Sequence, residues 1–295
     1  MNPTLILIEN AEQAAEVEAL QRLVWPGDET EVLPVHILLA AVHHGGLLVG
    51  AYQQEAANNP ATLIGFVFGF LGTYPTPDGP RLMHISQMLG VHPDHRGGNV
   101  GFALKRAQWQ MVRHQGLDRI IWTYDPLFSR NAHLNIAKLG AVCNTYLPNY
   151  YGEMGDGLNI GLKSDRFKVD WWVNSSRVVR RLGRRKRRQL DMAHYISAGA
   201  AILNPTRIED DGWAYPQSVD SLPDNTDTPV LMVEIPYDFL ALKRADISLA
   251  GAWREHTAPI FQHLFDAGYL VTDFVHLTGS SPRSFYVLSH GESTL

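Results

Sequence analysis

The segment Val91-His-Pro-Asp-His-Arg-Gly-Gly-Asn-Val-Gly-Phe-Ala-Leu-Lys105 constrains the fold of this chain more than any other. It reads as a strand end, a glycine-rich turn and the first turns of a helix. A helix start carries backbone N–H groups that have no intrahelical partner, and the aligned peptide dipoles favour an anion placed there. Gly97, Gly98 and Gly101 keep side chains out of the way, so the same arrangement would cradle a pyrophosphate. A tight turn before any helix also uses glycine, and this segment alone leaves that plainer reading open.

Arg96 opens and Gly101 closes a run that resembles the acyl-CoA loop of the GNAT superfamily of N-acyltransferases, which reads Gln/Arg-x-x-Gly-x-Gly/Ala after a strand ending in valine. Asn99 stands at the inner glycine, and asparagine is the side-chain-bearing residue that best tolerates positive φ. Downstream, Ser129 to Ala141 carries a helix pattern ending in Leu-Gly-Ala, where the superfamily commonly ends in Leu-Gly-Phe. Between them Asp118 to Tyr124 reads as a buried strand, with Gly116 stopping the preceding helix. The resemblance spans residues 1 to 165 and implies an α/β chain, mixed and α+β-like, with a GNAT-type central sheet flanked by helices and a smaller C-terminal α/β unit. Trp122 to Pro126, Ser129 to Ala132 and Tyr151 to Met154 resemble segments of a larger two-part subgroup of predicted acyltransferases, some of them associated with acylation of amino acids, including succinyl transfer.

What the resemblance implies is a CoA-dependent N-acyltransferase, taking acetyl-CoA or another acyl-CoA and a small-molecule amine such as an amino acid. Leu89, Gly90 and Val91 fall where a splayed strand offers main-chain N–H groups to the thioester oxygen and pantetheine, and such donors act by electrostatic stabilisation. Leu89 and Val91 with Arg96, Gly97, Gly98, Asn99, Val100 and Gly101 form the expected cofactor set, to which Asn131 is added from the second motif. Ile136 occupies the place of the superfamily's usual acid, a tyrosine, so the proton donor must come from elsewhere. Tyr146, Tyr150 and Tyr151 follow on the next strand and loop, each with the alternative of a half-buried strand aromatic. His84 and Asp125 are the candidate bases, the first against a histidine bonded within the sheet, the second against a capping or turn residue. Tyr124 and Arg130 are candidate substrate contacts, because a planar guanidinium matches a carboxylate. Two other readings compete: a non-catalytic acyl-CoA sensor or scaffold, and an acyltransferase acting on a protein or RNA.

No metal is expected, because His43-His44 and His92-x-x-His95 lack a carboxylate or cysteine partner at ligand spacing. The single cysteine, Cys143, excludes an intrachain disulfide framework and reads as a buried thiol. Residues 177 to 188 hold eight of the 25 basic residues and no acidic one, which leaves 17 basic against 30 acidic elsewhere. A solvated face or linker is favoured there over a polyanion site, since no aromatic stacking pattern accompanies the arginines, and nucleic acid is not an expected partner. No run of 18 apolar residues and no leader pattern occurs, so a cytoplasmic protein with no membrane association is expected. A homodimer stays open.

Along the chain we expect strand Leu5 to Ile8, helices Ala11 to Val24 and Pro34 to His43, and strands Leu47 to Tyr52, Thr62 to Leu71 and Leu82 to Val91, with a polar loop at 55 to 60. Asp165 to Trp172 is a further strand or crossing segment. Residues 166 to 229 are expected to connect, irregularly over 203 to 229, to a unit at 230 to 295. That unit reads as strand Val230 to Ile235, a helix from Tyr237, a long helix Ile247 to Ala267 with Asp246 as N-cap, and strands Val271 to Leu277 and Ser284 to Leu288. It could be a degenerate second GNAT-like half, a lid or a dimerisation unit.

Overall fold

The structure is a computed structural model, which describes residues 3–27, 29–54, 61–152, 161–183, 190–219, 222 and 228–290. Two compact units account for them: one within Met1–Trp122 and Trp172–Asn174, the other within Thr123–Met154, Gly161–Trp171 and Ser175–Leu295. By contacts the chain therefore changes unit at Trp122, inside a strand.

The first unit begins with β1 (Thr4–Leu7), followed by α1 (Ala11–Val24) and α2 (Val35–His43). Asn10 caps α1 by accepting the Gln13 N–H, and Ala14, Val17, Leu20 and Val24 recur at the spacing of one buried face. Next come β2 (Leu47–Gln53), β3 (Thr62–Tyr74), β4 (Arg81–Val91), α3 (Val100–His114) and β5 (Arg119–Tyr124). The sheet order here is β1-β2-β3-β4-β5, antiparallel up to β4, with β4 and β5 parallel. Period-two alternation divides the sheet between two cores. Phe66 and Phe68 pack with α1 and α2, while Val67, Leu89 and Val91 pack with Val100 and Leu104 of α3. The expected polar loop at 55 to 60 lies outside the described residues.

The second unit continues with α4 (Ser129–Ala132), which widens into a π-helical stretch over His133–Lys138, then β6 (Val142–Leu147) and β7 (Arg166–Trp172). The expected uniform helix from Ser129 is thus a short α turn that widens. Its loosened carbonyls have external donors: Trp171 Nε1 reaches Leu139 O at 3.0 Å, Arg181 reaches Ala137 O at 2.8 Å and Arg177 reaches Gly140 O at 3.0 Å. These two arginines lie on α5 (Ser176–Leu182), so the start of the basic run is a packed helix that caps another, and the favoured solvated face or linker is corrected there. Residues 184 to 189 lie outside the described set.

α6 (Met192–Ser197), β8 (Ala201–Ile202), β9 (Thr206–Ile208) and β10 (Ala214–Pro216) follow, the last two paired as a small ribbon where irregular chain was expected. The C-terminal elements match expectation closely: β11 (Val230–Ile235), α7 (Phe239–Ala245), α8 (Ile247–Asp266), β12 (Leu270–Leu277) and β13 (Arg283–Ser289). The strand order in this unit is β7-β6-β12-β13-β11-β8. Phe167, Phe261, Phe274 and Tyr286 make its aromatic core, with Phe167 and Phe261 edge to face at 4.8 Å. Cys143 is fully buried, as expected. No helix among the described residues is long and apolar enough to cross a membrane.

Asp246 accepts the Leu249 N–H at 2.9 Å and is the predicted N-cap of α8. Asp246→Ala is expected to lower stability by about 1 kcal/mol, the usual worth of such a cap. Urea unfolding checks it, and a loss below about 0.3 kcal/mol would show that the cap is not what holds this helix end.

Candidate active site

β4 and the loop that follows it bring together most of the expected cofactor residues. Among the described residues β4 pairs with β5 at His84↔Ile120 and Ile85↔Ile121, and beyond Ile85 its edge on that side has no ladder partner among them. Which main-chain groups face that edge follows from alternation. The His92 N–H donates to Ile64 O of β3 at 2.9 Å, so Gly90 and Met88, at the same phase, also direct their groups to β3. Leu89 and Val91 direct theirs to the open edge.

The chain then turns through Pro93–His95 into Arg96, Gly97, Gly98 and Asn99. Gly97 has φ +87° and a side chain there would point into open space, while Asn99 takes φ +61°, ψ +11°. Asparagine therefore fills the left-handed position expected of it. The first intrahelical bond of α3 runs from Ala103 N to Asn99 O at 3.0 Å, which leaves the N–H groups of Val100, Gly101 and Phe102 ahead of the ladder. Gly97, Gly98 and Asn99 are exposed, so an anion has access to this end of a 15-residue helix. Arg96 differs from expectation in part. Its guanidinium donates to Val91 O and Val24 O, both at 3.3 Å, and braces the loop against β4 and α1.

His84 is in the same unit but is fully buried. Gln108 Oε1 accepts from Lys105 Nζ at 3.0 Å and from Ser86 Oγ at 3.0 Å, so Gln108 Nε2 must donate to His84 Nε2, also at 3.0 Å. That bond occupies the Nε2 lone pair and places the ring proton on Nδ1, which has no partner among the described residues. Burial, and then the nearby Lys105 charge, push the imidazole down to about 3. The expected base is therefore a neutral, engaged core group, because both its solvation and its lone pair are gone. Lys105, Ser86 and Gln108 were not singled out from sequence, although Lys105 and Gln108 fall at helical spacing on the buried stripe Val100, Leu104, Trp109, Val112.

The remaining candidates lie in the second unit. Asp125 is buried and its two oxygens take both Arg254 terminal nitrogens, at 2.7 and 2.5 Å, while Oδ1 also accepts the Leu127 N–H at 2.9 Å. It is a turn and ion-pair residue, since both of its oxygens are buried and engaged by the guanidinium and the turn, away from any entering amine. The Tyr124 hydroxyl is 3.0 Å from that of Tyr286 inside the core, and burial raises it well above the usual phenol range. That buries the expected substrate contact. Tyr146 donates to Asp165 at 2.5 Å. Tyr150 and Tyr151 are about half exposed, and the Tyr151 hydroxyl is 2.9 Å from Thr123 Oγ1. Arg130 and Asn131 are exposed on α4, and Ile136 is fully buried. No cluster of three or more metal-ligating side chains occurs among the described residues.

The chain matches no protein-family profile and no curated protein. Among solved structures it is similar to a GNAT-family acetyltransferase from Streptococcus pneumoniae at 16% identity, covering 57% of this chain and 98% of that one with a TM-score of 0.41. It is also similar to the ribosomal-protein-S18-alanine N-acetyltransferase from Escherichia coli, at 13% identity, 64% and 100% coverage and a TM-score of 0.43. An aminoglycoside 6'-acetyltransferase type Ii gives 18% identity, 58% and 98% coverage and 0.44.

Two expectations follow from the buried groups. Because the folded pKa of His84 lies below its unfolded value of 6.5, its contribution to stability is complete above about pH 6.5 and is lost as pH falls toward 3. In NMR the His84 ring resonances should stay unchanged from pH 8 to pH 5, and a midpoint near 6.5 would contradict the burial. Asp125→Ala should cost about 3 to 5 kcal/mol by stranding Arg254, whereas the paired change Asp125→Leu with Arg254→Met should cost less. Urea unfolding of the two variants decides it.

Proposed function

We propose that this protein is an acyl-CoA-dependent N-acyltransferase of the GNAT type, in which a small-molecule amine attacks the bound thioester directly. The observation that carries the reading is the edge of β4: Leu89 and Val91 turn their main-chain groups to a side that β5 has left, and the same strand runs straight into the Arg96–Gly101 loop and the uncapped first turn of α3. One end of this element suits a pyrophosphate, by dipole and free N–H groups. The other suits a thioester oxygen, whose negative charge grows as the amine adds and collapses as the thiolate leaves. We assign acyl-CoA binding to the first unit, with Leu89, Val91, Gly97, Gly98, Asn99, Val100 and Gly101 as its contacts, and Arg96 as the brace of the loop. Acetyl-CoA is the first donor to test and succinyl-CoA the second. Tyr150 and Tyr151 are the expected tyrosines that keep solvent access, and Arg130 is an exposed cation able to meet an acceptor carboxylate.

A second reading has its own support. Ile136 replaces the usual tyrosine, His84 is neutral and engaged, and Asp125 is locked to Arg254. A module that binds acyl-CoA without turning it over would show this pattern.

Free-thiol release from acetyl-CoA and succinyl-CoA, measured with a panel of D- and L-amino acids and polyamines beside a CoA titration, separates the two. Acceptor-dependent release is expected. Saturable CoA binding without release would select the binding module, and no binding of any CoA thioester by folded protein would overturn both.

A further inference from the structure

β4 changes phase in its middle. Between the pairs Phe68↔Met88 and Phe70↔Ile85 the strand β3 advances by two residues and β4 by three, so β4 carries one extra residue, a bulge, at Ser86 or Gln87. The bulge reverses which residues face which side. Before it, His84 turns its side chain to α3, packed so closely on Gly69 that a β-carbon on that glycine would sit 2.3 Å from His84 Nε2. After it, Leu89 and Val91 face α3 instead of the even-numbered residues, and Met88 packs with the α1 and α2 core. A strand without the bulge would present the amides of Met88 and Gly90 to the open edge and expel Leu89 and Val91 from their core.

The two flanks are fixed by packing, so the extra residue must be accommodated between them. Gln87 is exposed there, whereas Ser86 is buried. The Ser86 hydroxyl accepts from Lys105 Nζ at 2.8 Å and donates to Gln108 Oε1 at 3.0 Å. Lys105 and Gln108 are three residues apart on one face of α3, joined by their own 3.0 Å bond, and Lys105 Nζ lies 3.7 Å from the centroid of the Trp122 ring on β5. A buried polar network of this kind is costly unless it is fully satisfied, which makes its geometry specific.

We infer that Lys105, Gln108 and Ser86 are positioning residues that hold the β4 bulge and so decide which main-chain amides the strand offers to a thioester. The inference rests on the acyltransferase reading for its chemical consequence, but not for its geometry. α3 then has two tasks on one rigid rod: its first turn meets the anion, and about 8 to 12 Å further along its axis it fixes the phase of the amide donors. The three residues touch no reacting atom and act through Leu89 and Val91.

The test uses Ser86→Ala and Gln108→Leu, with Gln108→Glu as the change that keeps an acceptor oxygen for Ser86 and Lys105 while the His84 proton moves to Nε2 to meet the second oxygen, and Val112→Ala as a control that thins the core of the same helix elsewhere. Ser86→Ala and Gln108→Leu are expected to lower kcat roughly 10- to 100-fold, the scale of a small misplacement of catalytic groups, with KM for acyl-CoA changed less than about threefold. Gln108→Glu should recover most of the rate and Val112→Ala should keep it. An unchanged kcat in the first two, or an equal loss in the control, overturns the inference. NMR supplies a readout that needs no activity: cross-strand contacts Leu89–Val67 and Val91–Gly65, and hydrogen exchange at the Leu89 and Val91 amides. If both variants keep the parent pairing and exchange, the inference fails even for an active enzyme. If the parent binds no CoA thioester, the acyltransferase reading fails while the NMR comparison still decides the bulge. Should Gln108→Leu not fold, Ser86→Ala, which removes one hydroxyl, carries the test alone.

Discussion

Backbone hydrogen bonding along β4 is the constraint on which the first unit depends. A central strand normally has both edges paired, because an unpaired buried N–H or C=O costs as much as a lost hydrogen bond. β4 keeps β3 along its whole length but gives up β5 after Ile85. The bulge and the departure of β5 come at neighbouring residues, so the strand changes phase just where it gains a free edge. The open donors at Leu89 and Val91 are therefore a consequence of strand pairing and of the bulge that sets its phase.

Buried charge organises the second unit in a similar way. Asp125 with Arg254, Glu234 with Arg283, and Asp273 with Arg181 each pair a carboxylate with a guanidinium, and two of the three are two-point contacts. Each joins segments far apart in sequence: the turn after β5 to α8, β11 to β13, and β12 to α5. A buried pair of this kind adds little net stability over a well-packed apolar substitute, but breaking one partner leaves an uncompensated charge. Tyr195 adds its hydroxyl to Asp273 at 2.9 Å, and Thr206 adds its own to Glu234 at 3.0 Å, so each of these carboxylates accepts a further bond beside its guanidinium.

The same physics explains why neither acid–base candidate is open to a substrate. His84 lies on the strand that leads to a glycine-rich loop and Asp125 follows a strand end, and nothing in their local sequence says whether they face a cleft or the core. Facing is a property of partners. His84 became a core group because Gln108, 24 residues away, consumes its lone pair, and Asp125 because Arg254, 129 residues away, takes both oxygens. Conversely, Lys105 carries no local sign of its partners, and only docking of the helix on β4 sets it against Ser86.

Sequence by itself determined the elements whose signals are local. Hydrophobic period, caps and glycine stops placed α1 and α8 to within a residue, and gave β2, β11 and β12 nearly as well, because those signals act over one or two turns of chain. The left-handed Asn99 and the N-cap Asp246 were legible for the same reason: a single residue's steric and hydrogen-bonding preferences fix them. Tertiary structure alone decided the rest: the β4 bulge, the widening after α4, the capping role of Arg177 and Arg181, and which ionisable groups are open to solvent. Those features depend on cross-strand register and on partners tens of residues distant, and no local pattern encodes the geometry of a neighbour that the chain reaches only by folding.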